Sequence, residues 1–171
     1  MSGLKLDLGC GPRKRQGFLG VDVRSFPGVD VVADLTQRWP WADASVGEVF
    51  CSHFVEHLEA RERIHFANEL HRVLVPGGRA TLITPYWAST IAYGDLTHKW
   101  PPVTEAWYPY LNRAWREQAA PHNDEYTCDF DHTLEWALSN EFNDRPQPDR
   151  EFAALHFKDA VSELTAKLVR R

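Results

Sequence analysis

The sequence predicts an α/β fold, a doubly wound and mostly parallel sheet that ends in a C-terminal antiparallel strand. Three observations carry that expectation. Short apolar runs at residues 4–8, 18–23, 29–33, 48–52 and 79–84 are separated by turns, loops and one helical stretch, the alternation that builds parallel sheets through crossovers. Residues 6–12, Leu-Asp-Leu-Gly-Cys-Gly-Pro, run an apolar strand into two glycines split by one small residue. Asp22 then ends the next apolar run. A glycine turn and an acid at neighbouring strand ends make a nucleotide-type site at the carboxyl edge of a parallel sheet.

The elements follow in order. Residues 4–8 and 18–23 are the first two strands. Ser25-Phe26-Pro27-Gly28 is a turn, and residues 29–33 are the third strand, running into Asp34-Leu35. Residues 37–46 are polar and rich in Trp and Pro, so they predict a loop before a fourth strand at 48–52. Ile64, Phe66, Ala67, Leu70, Val73 and Leu74 recur at helical spacing and predict a helix over 61–74. Pro76-Gly77-Gly78 ends it, ahead of a fifth strand at 79–84.

Residues 85–129 are aromatic- and proline-rich with weak periodicity and read as an insertion over the sheet. Within it, Thr104 is a candidate cap for a helix presenting Trp107, Tyr108, Leu111 and Trp115, bent or split at Pro109. Phe130, His132, Leu134, Trp136 and Leu138 alternate as a sixth strand. The tail at 160–169 suits strand or helix, and the strand pairing antiparallel with the sixth is favoured.

At 171 residues the chain is expected to form one domain over 1–171. Hydrophobic residues at 43% and charged residues at 25% are ordinary for a soluble globular protein. No apolar run approaches the roughly 20 residues of a membrane span, and no secretory signal precedes the first strand. Three cysteines without metal-type pairing suggest a reducing, cytoplasmic setting. A net charge of −5 argues against non-specific nucleic-acid binding, which needs clustered Lys and Arg.

Two ligands compete for the glycine turn. A dinucleotide fingerprint needs a third glycine, a helix facing the pyrophosphate and an acid roughly 20 residues on. Here Lys14 stands at the third glycine, and residues 12–17 leave little room for a helix. S-adenosylmethionine carries no phosphate. It needs close backbone approach, an acceptor for its ammonium and a carboxylate for its ribose, and all three are present. The residues favour the methyl donor.

Four segments, Leu6–Pro12, Gly20-Val-Asp-Val23, Cys51-Ser-His-Phe-Val-Glu-His-Leu58 and Leu70-His-Arg-Val-Leu-Val-Pro-Gly-Gly78, resemble in order and spacing the Rossmann-like (class I) S-adenosylmethionine-dependent methyltransferases of the type 11 group. They cover roughly the first half. The second half resembles uncharacterised members, phage-type proteins among them, and implies no substrate. The resemblance implies that Asp7, Gly9, Cys10 and Gly11 line the methionine end. It places Asp22 on the ribose, Val23 on the adenine face, Asp34 and Leu35 at the adenine edge, and Ser52 and His53 at the reactive end. The chain departs from the group in lacking a helix before the first strand and most of the helix after the glycine turn. A modest affinity or a helping subunit follows.

His53-Phe-Val-Glu-His57 also spells H-x-x-E-H, a zinc-hydrolase pattern. It follows a strand and no third ligand is evident, so no metal is expected. The acceptor should meet residues 86–100, after the fifth strand. His98 is the preferred base, with Asp95 orienting it and His53 as the alternative. Tyr86, Trp87, Tyr93 and Trp100 are candidates for a flat-ligand pocket. A stacking platform for nucleic acid is disfavoured by the acids around Lys99, Arg113 and Arg116. The acceptor stays unidentified, a homodimer would suit the aromatic surface, and the alternative is a non-catalytic adenosyl-ligand binding module in a larger assembly.

Overall fold

A computed structural model of the chain describes residues 3–171. Strands β1 (Leu4–Leu8), β2 (Leu19–Asp22), β3 (Val31–Val32), β4 (Val46–Ser52) and β5 (Leu74–Pro85) pair in parallel. Strands β6 (Phe130–Leu138) and β7 (Val161–Arg170) complete one seven-stranded sheet in the order β3-β2-β1-β4-β5-β7-β6. β7 is antiparallel to both β5 and β6. The order reverses between β1 and β4, and a crevice opens at such a switch point beyond the carboxyl ends of the strands.

The tail forms a strand because its alternation is sharp. Leu164, Ala166 and Leu168 are buried while Lys167 and Val169 are exposed, as a half-covered strand requires. Helix α1 (Ala60–Val73) buries Phe66, Leu70 and Val73 against the core. Its start is fixed by Glu62, whose carboxylate accepts the Glu59 N–H at 2.7 Å. The fifth strand begins earlier than the sequence predicts. Leu74 already pairs with Val46, and the next aligned pair is Glu48 with Arg79. The Pro76-Gly77-Gly78 run is therefore an outward loop within β5, with Gly77 at φ +74°.

Short helical pieces lie between β5 and β6: α2 (Ile91–Gly94), a 3₁₀ turn at Glu105–Leu111 and α3 (Arg113–Ala119). The expected helix is split, but at Asn112 and not at Pro109. Asn112 supplies the cap of α3, its side-chain oxygen accepting the Trp115 N–H at 3.0 Å, whereas the Thr104 side chain makes no capping bond. Two helices between β6 and β7, α4 (Asn140–Asn143) and α5 (Gln147–His156), are not anticipated by the sequence reading.

No helix joins β1 to β2, β2 to β3 or β3 to β4. Side-chain contacts hold the first of these connections instead. Asp7 accepts the Arg15 N–H at 2.6 Å, and Lys14 bridges to Asp30 at 2.7 Å. Asp30 also accepts the Gly20 N–H at 2.7 Å, and the Arg15 guanidinium lies 4.3 Å from the Phe50 ring centre. The residue standing where a dinucleotide site has its third glycine thus ties the loop to the β2–β3 connection. The sheet face bearing Phe50, Thr81, Lys167 and Thr133 carries rows of polar and charged side chains such as Lys5–Glu48. Such a face tolerates water without a helix over it.

Candidate active site

The crevice at the switch point starts with the glycine turn. Gly9 and Gly11 have φ of +66° and +52°, a region that L-residues with a Cβ enter at a cost. The two glycines serve different ends. A Cβ on Gly9 would meet the Phe54 ring at 2.5 Å, so this glycine admits Phe54. A Cβ on Gly11 would meet nothing within 4 Å, so its outer side is open to a ligand. Cys10 is a small filler, its Sγ packed where a Cβ on Gly20 would sit. Burial and the nearby Asp7 and Asp22 push its thiol pKa up, which keeps it protonated.

Asp22 at the end of β2 is held at both oxygens. Oδ2 accepts the Gly11 N–H and Oδ1 the Arg24 N–H, each at 2.9 Å. That orientation joins the acid to the glycine turn and leaves carboxylate lone pairs toward solvent. Val23 beside it is 61% exposed, an apolar surface at the crevice. Asp34 folds on itself, Oδ1 accepting the N–H and hydroxyl of Thr36, which together hold its carboxyl pKa down. The Leu35 side chain is core, so only its backbone can meet a ligand. Asp7 is buried and raised in pKa by desolvation, partly offset by the Arg15 N–H. Its bond to the loop makes it a support of the turn.

Past β4 and β5, where the resemblance puts the reactive end, a cavity of about 600 Å³ opens. His53, Glu56, His57, Asp95 and His98 form its polar part, and Pro85, Ile91 and Leu96 its apolar part. His53 has φ +54° and its N–H donates to the Ile83 carbonyl at 2.9 Å, so the chain turns sharply off β4. Its Nδ1 is 3.3 Å from Glu56 Oε1 and its Nε2 is 2.8 Å from Glu163 Oε1. The Glu56 carboxylate, against the opposing effect of burial and with Glu163 adding to it, pushes the His53 pKa to about 9. With both ring nitrogens facing carboxylates, the protonated form of His53 is favoured, a poor state for the alternative base.

Asp95 does not orient His98. Its Oδ1 accepts the Thr97 N–H at 2.8 Å and the Thr97 hydroxyl at 2.7 Å, bonds that hold its carboxyl pKa down. The Thr97 oxygen is in turn 2.9 Å from His57 Nδ1. Because the single hydroxyl proton goes to Asp95, Thr97 accepts from Nδ1–H of His57. His98 Nδ1 is 3.0 Å from the Ala92 carbonyl, an acceptor only, so it too carries its proton on Nδ1. Two imidazoles, 4.8 Å between ring centres, are thereby left with free Nε2 lone pairs. His57 enters the sequence reading only through the H-x-x-E-H pattern and not as a base, because its partner Thr97 lies far along the chain.

The four aromatics do not share one pocket. Tyr86 is buried and packs with Trp136, and Trp87 is half-exposed. Tyr93 and Trp100 line a shallower depression of about 190 Å³ next to the main cavity. Among the described residues no helix is long and apolar enough to cross a membrane.

Residues 13–82 match the family model described as a methyltransferase domain. No curated protein sequence matches the chain. Among solved structures, the chain is similar to an S-adenosylmethionine-dependent methyltransferase from Archaeoglobus fulgidus, at 19% identity and a TM-score of 0.69 over 99% of this chain and 86% of that one. It is also similar to the Haloferax volcanii complex of a methyltransferase with its Trm112 activator (15%, 0.61, 99% and 83%) and to the [4+2]-cyclase SpnF (15%, 0.60, 99% and 74%). These structures share the fold, and a cyclase among them shows that fold alone does not set the chemistry. What the chain shares with S-adenosylmethionine-dependent methyltransferases is thus a methyltransferase-domain match over residues 13–82 and, over 99% of its length, their Rossmann-like fold.

Proposed function

We propose that the chain methylates an oxygen or nitrogen of a small acceptor with an apolar body, seated in the cavity between β4, β5 and α2. The observation that carries this reading is the pair of Nε2 lone pairs of His57 and His98 beside an apolar rim. Leu96 on that rim is 97% exposed and Ile91 50%, surface that an apolar ligand would cover.

Bound S-adenosylmethionine supplies an electrophilic methyl on a cationic sulfur, and the bond's electron pair stays with the sulfur as the thioether leaves. The chain's own part is alignment and proton removal. Asp22 orients the ribose, and the open side of Gly11 receives the methionine backbone. Val23 packs on the adenine, and the backbone at Asp34 and Leu35 meets its edge. Ser52 and the turn at His53 bring the reactive end to the cavity mouth. Holding the two partners in line is the main source of rate. A hydroxyl or ammonium acceptor must also lose a proton, and His57 is the better-placed recipient. The Thr97–Asp95 relay on its Nδ1 would steady the imidazolium as it forms, as a carboxylate does behind a catalytic histidine.

The test is a labelled-methyl assay over a panel of phenols, alcohols and amines. Label in an acceptor with matching S-adenosylhomocysteine is the expected result. Binding of S-adenosylmethionine with no S-adenosylhomocysteine formed for any acceptor would instead favour the non-catalytic binding module.

A further inference from the structure

The geometry points to a divalent-cation site of the zinc type formed by Glu56, His57 and His98 at the floor of the acceptor cavity. One ligand atom from each of the three lies within 4.8 Å of the others. Two histidines and a glutamate with a fourth position open to a cavity is the ligand set of a catalytic zinc centre. A tetrahedral shell at about 2.0 Å from the metal separates its ligands by about 3.3 Å, so modest side-chain rotation would close the trio.

Three further features belong to a cation site rather than to a chance cluster. The Glu56 side chain is 5% exposed, and neither of its carboxylate oxygens has a hydrogen-bond partner among the described residues. Its one ion-pair contact is His53 Nδ1, on Oε1, which leaves Oε2 without a partner. That buried oxygen remains free to take a metal beside the His53 pair. Both histidines have Nδ1 committed to an acceptor, His57 through Thr97 to Asp95 and His98 to the Ala92 carbonyl. Outer acceptors of this kind fix the tautomer and turn Nε2 toward a metal. The H-x-x-E-H run contributes only its Glu56 and His57, because both ring nitrogens of His53 are engaged, by Glu56 and by Glu163. The third ligand comes from the segment after β5, where no sequence spacing announces it.

The cation's role deepens the proposed function and rests on it: coordination would lower the pKa of an acceptor oxygen in the fourth position, whose proton would pass to solvent, so the metal would take over the part given above to the His57 lone pair. Metal binding itself can be measured with no methyl donor or acceptor present, so its failure is separate from failure of methyl transfer. The full chain, stripped with a chelator, is titrated with Zn²⁺ and Co²⁺. One Zn²⁺ per chain and the visible bands of four- or five-coordinate Co²⁺ are expected. His57→Ala and His98→Ala should each weaken binding at least 100-fold, and Glu56→Gln should weaken it too. Thr97→Val should weaken it about tenfold while keeping the Co²⁺ bands, and His53→Ala should keep one Zn²⁺ per chain. Circular dichroism establishes that each variant is folded. No stoichiometric uptake by the unmodified chain, or uptake unchanged in folded His57→Ala and His98→Ala variants, overturns the site.

Discussion

The Phe54 ring lies against the backbone of Gly9, so closely that a Cβ there would stand 2.5 Å from a ring carbon. This contact locks the glycine turn after β1 to the turn after β4, and hence the two sides of the crevice to each other. Gly9→Ala would suffer both the positive φ, about 1 kcal/mol, and overpacking of about 1–3 kcal/mol. Denaturant unfolding should report a loss in that range, partly recovered in Gly9→Ala/Phe54→Ala. Additive losses in the double variant would mean that the two residues do not couple.

Gly11 separates stability from binding. Its Cβ position is empty, so Gly11→Ala bears only the backbone strain of φ +52°, about 1 kcal/mol of stability. The added methyl would occupy the space proposed for the methionine backbone. Calorimetry should show S-adenosylmethionine affinity falling at least tenfold, with the unfolding midpoint lowered only by that loss of about 1 kcal/mol. The reverse pattern would move the ligand away from this turn.

Asp22 is placed to test the ribose assignment. Asp22→Ala removes the acceptor of the Gly11 and Arg24 N–H groups and the carboxylate itself. Affinity for S-adenosylmethionine and S-adenosylhomocysteine should fall together by at least tenfold, about 1.4 kcal/mol. Asp22→Asn, which keeps one acceptor oxygen, should lie between. Equal affinity in all three proteins would remove Asp22 from the site.

How much of this is visible in the sequence depends on how local each cause is. β1 and β6 stand at the predicted residues because alternation within one strand is a local signal. The β7 tail was resolved by its neighbours, since β5 and β6 flank it and demand a strand. α5 was missed: it opens on Gln147-Pro148, and its buried side is only Ala153 and Ala154, too little apolar surface to register as a helical stripe. The donor side of the crevice is legible because its residues sit at strand ends in sequence order. The acceptor side is not, because His57 meets Thr97 and His98 across a segment whose path is set by tertiary contacts.

His53 predicts a pH dependence of stability. Its folded pKa is raised from 6.5 to about 9 by Glu56 and Glu163, with burial opposing. A raised pKa means that the folded state binds the proton more tightly. The stabilisation is therefore fully present below pH 6.5 and is lost as pH rises through about 9. The side chain is 43% exposed, so solvent screening keeps the effect small. Melting temperatures of the unmodified chain and of His53→Gln should differ most in mildly acidic buffer and converge above pH 9. A constant difference across that range would assign the loss to packing. The imidazole should also titrate near 9 by NMR.

Arg63 sets the distance across the cavity. It is 5% exposed, and its guanidinium donates to four backbone carbonyls: Val55, Leu58, Lys99 and Pro101. The first two flank His57 and the last two follow His98, so one planar fork holds both imidazole-bearing segments. Burial lowers its pKa, with Glu56 the chief opposing charge. Arg63→Ala would leave those carbonyls without their donor and open a cavity, a destabilisation of about 3 kcal/mol or more. Arg63→Lys keeps the charge but cannot reproduce the fork. It should recover part of the stability while leaving methyl transfer impaired in kcat more than in the affinity for S-adenosylmethionine. Full recovery of turnover by lysine would show that charge, and not the fixed spacing of His57 and His98, is what Arg63 provides.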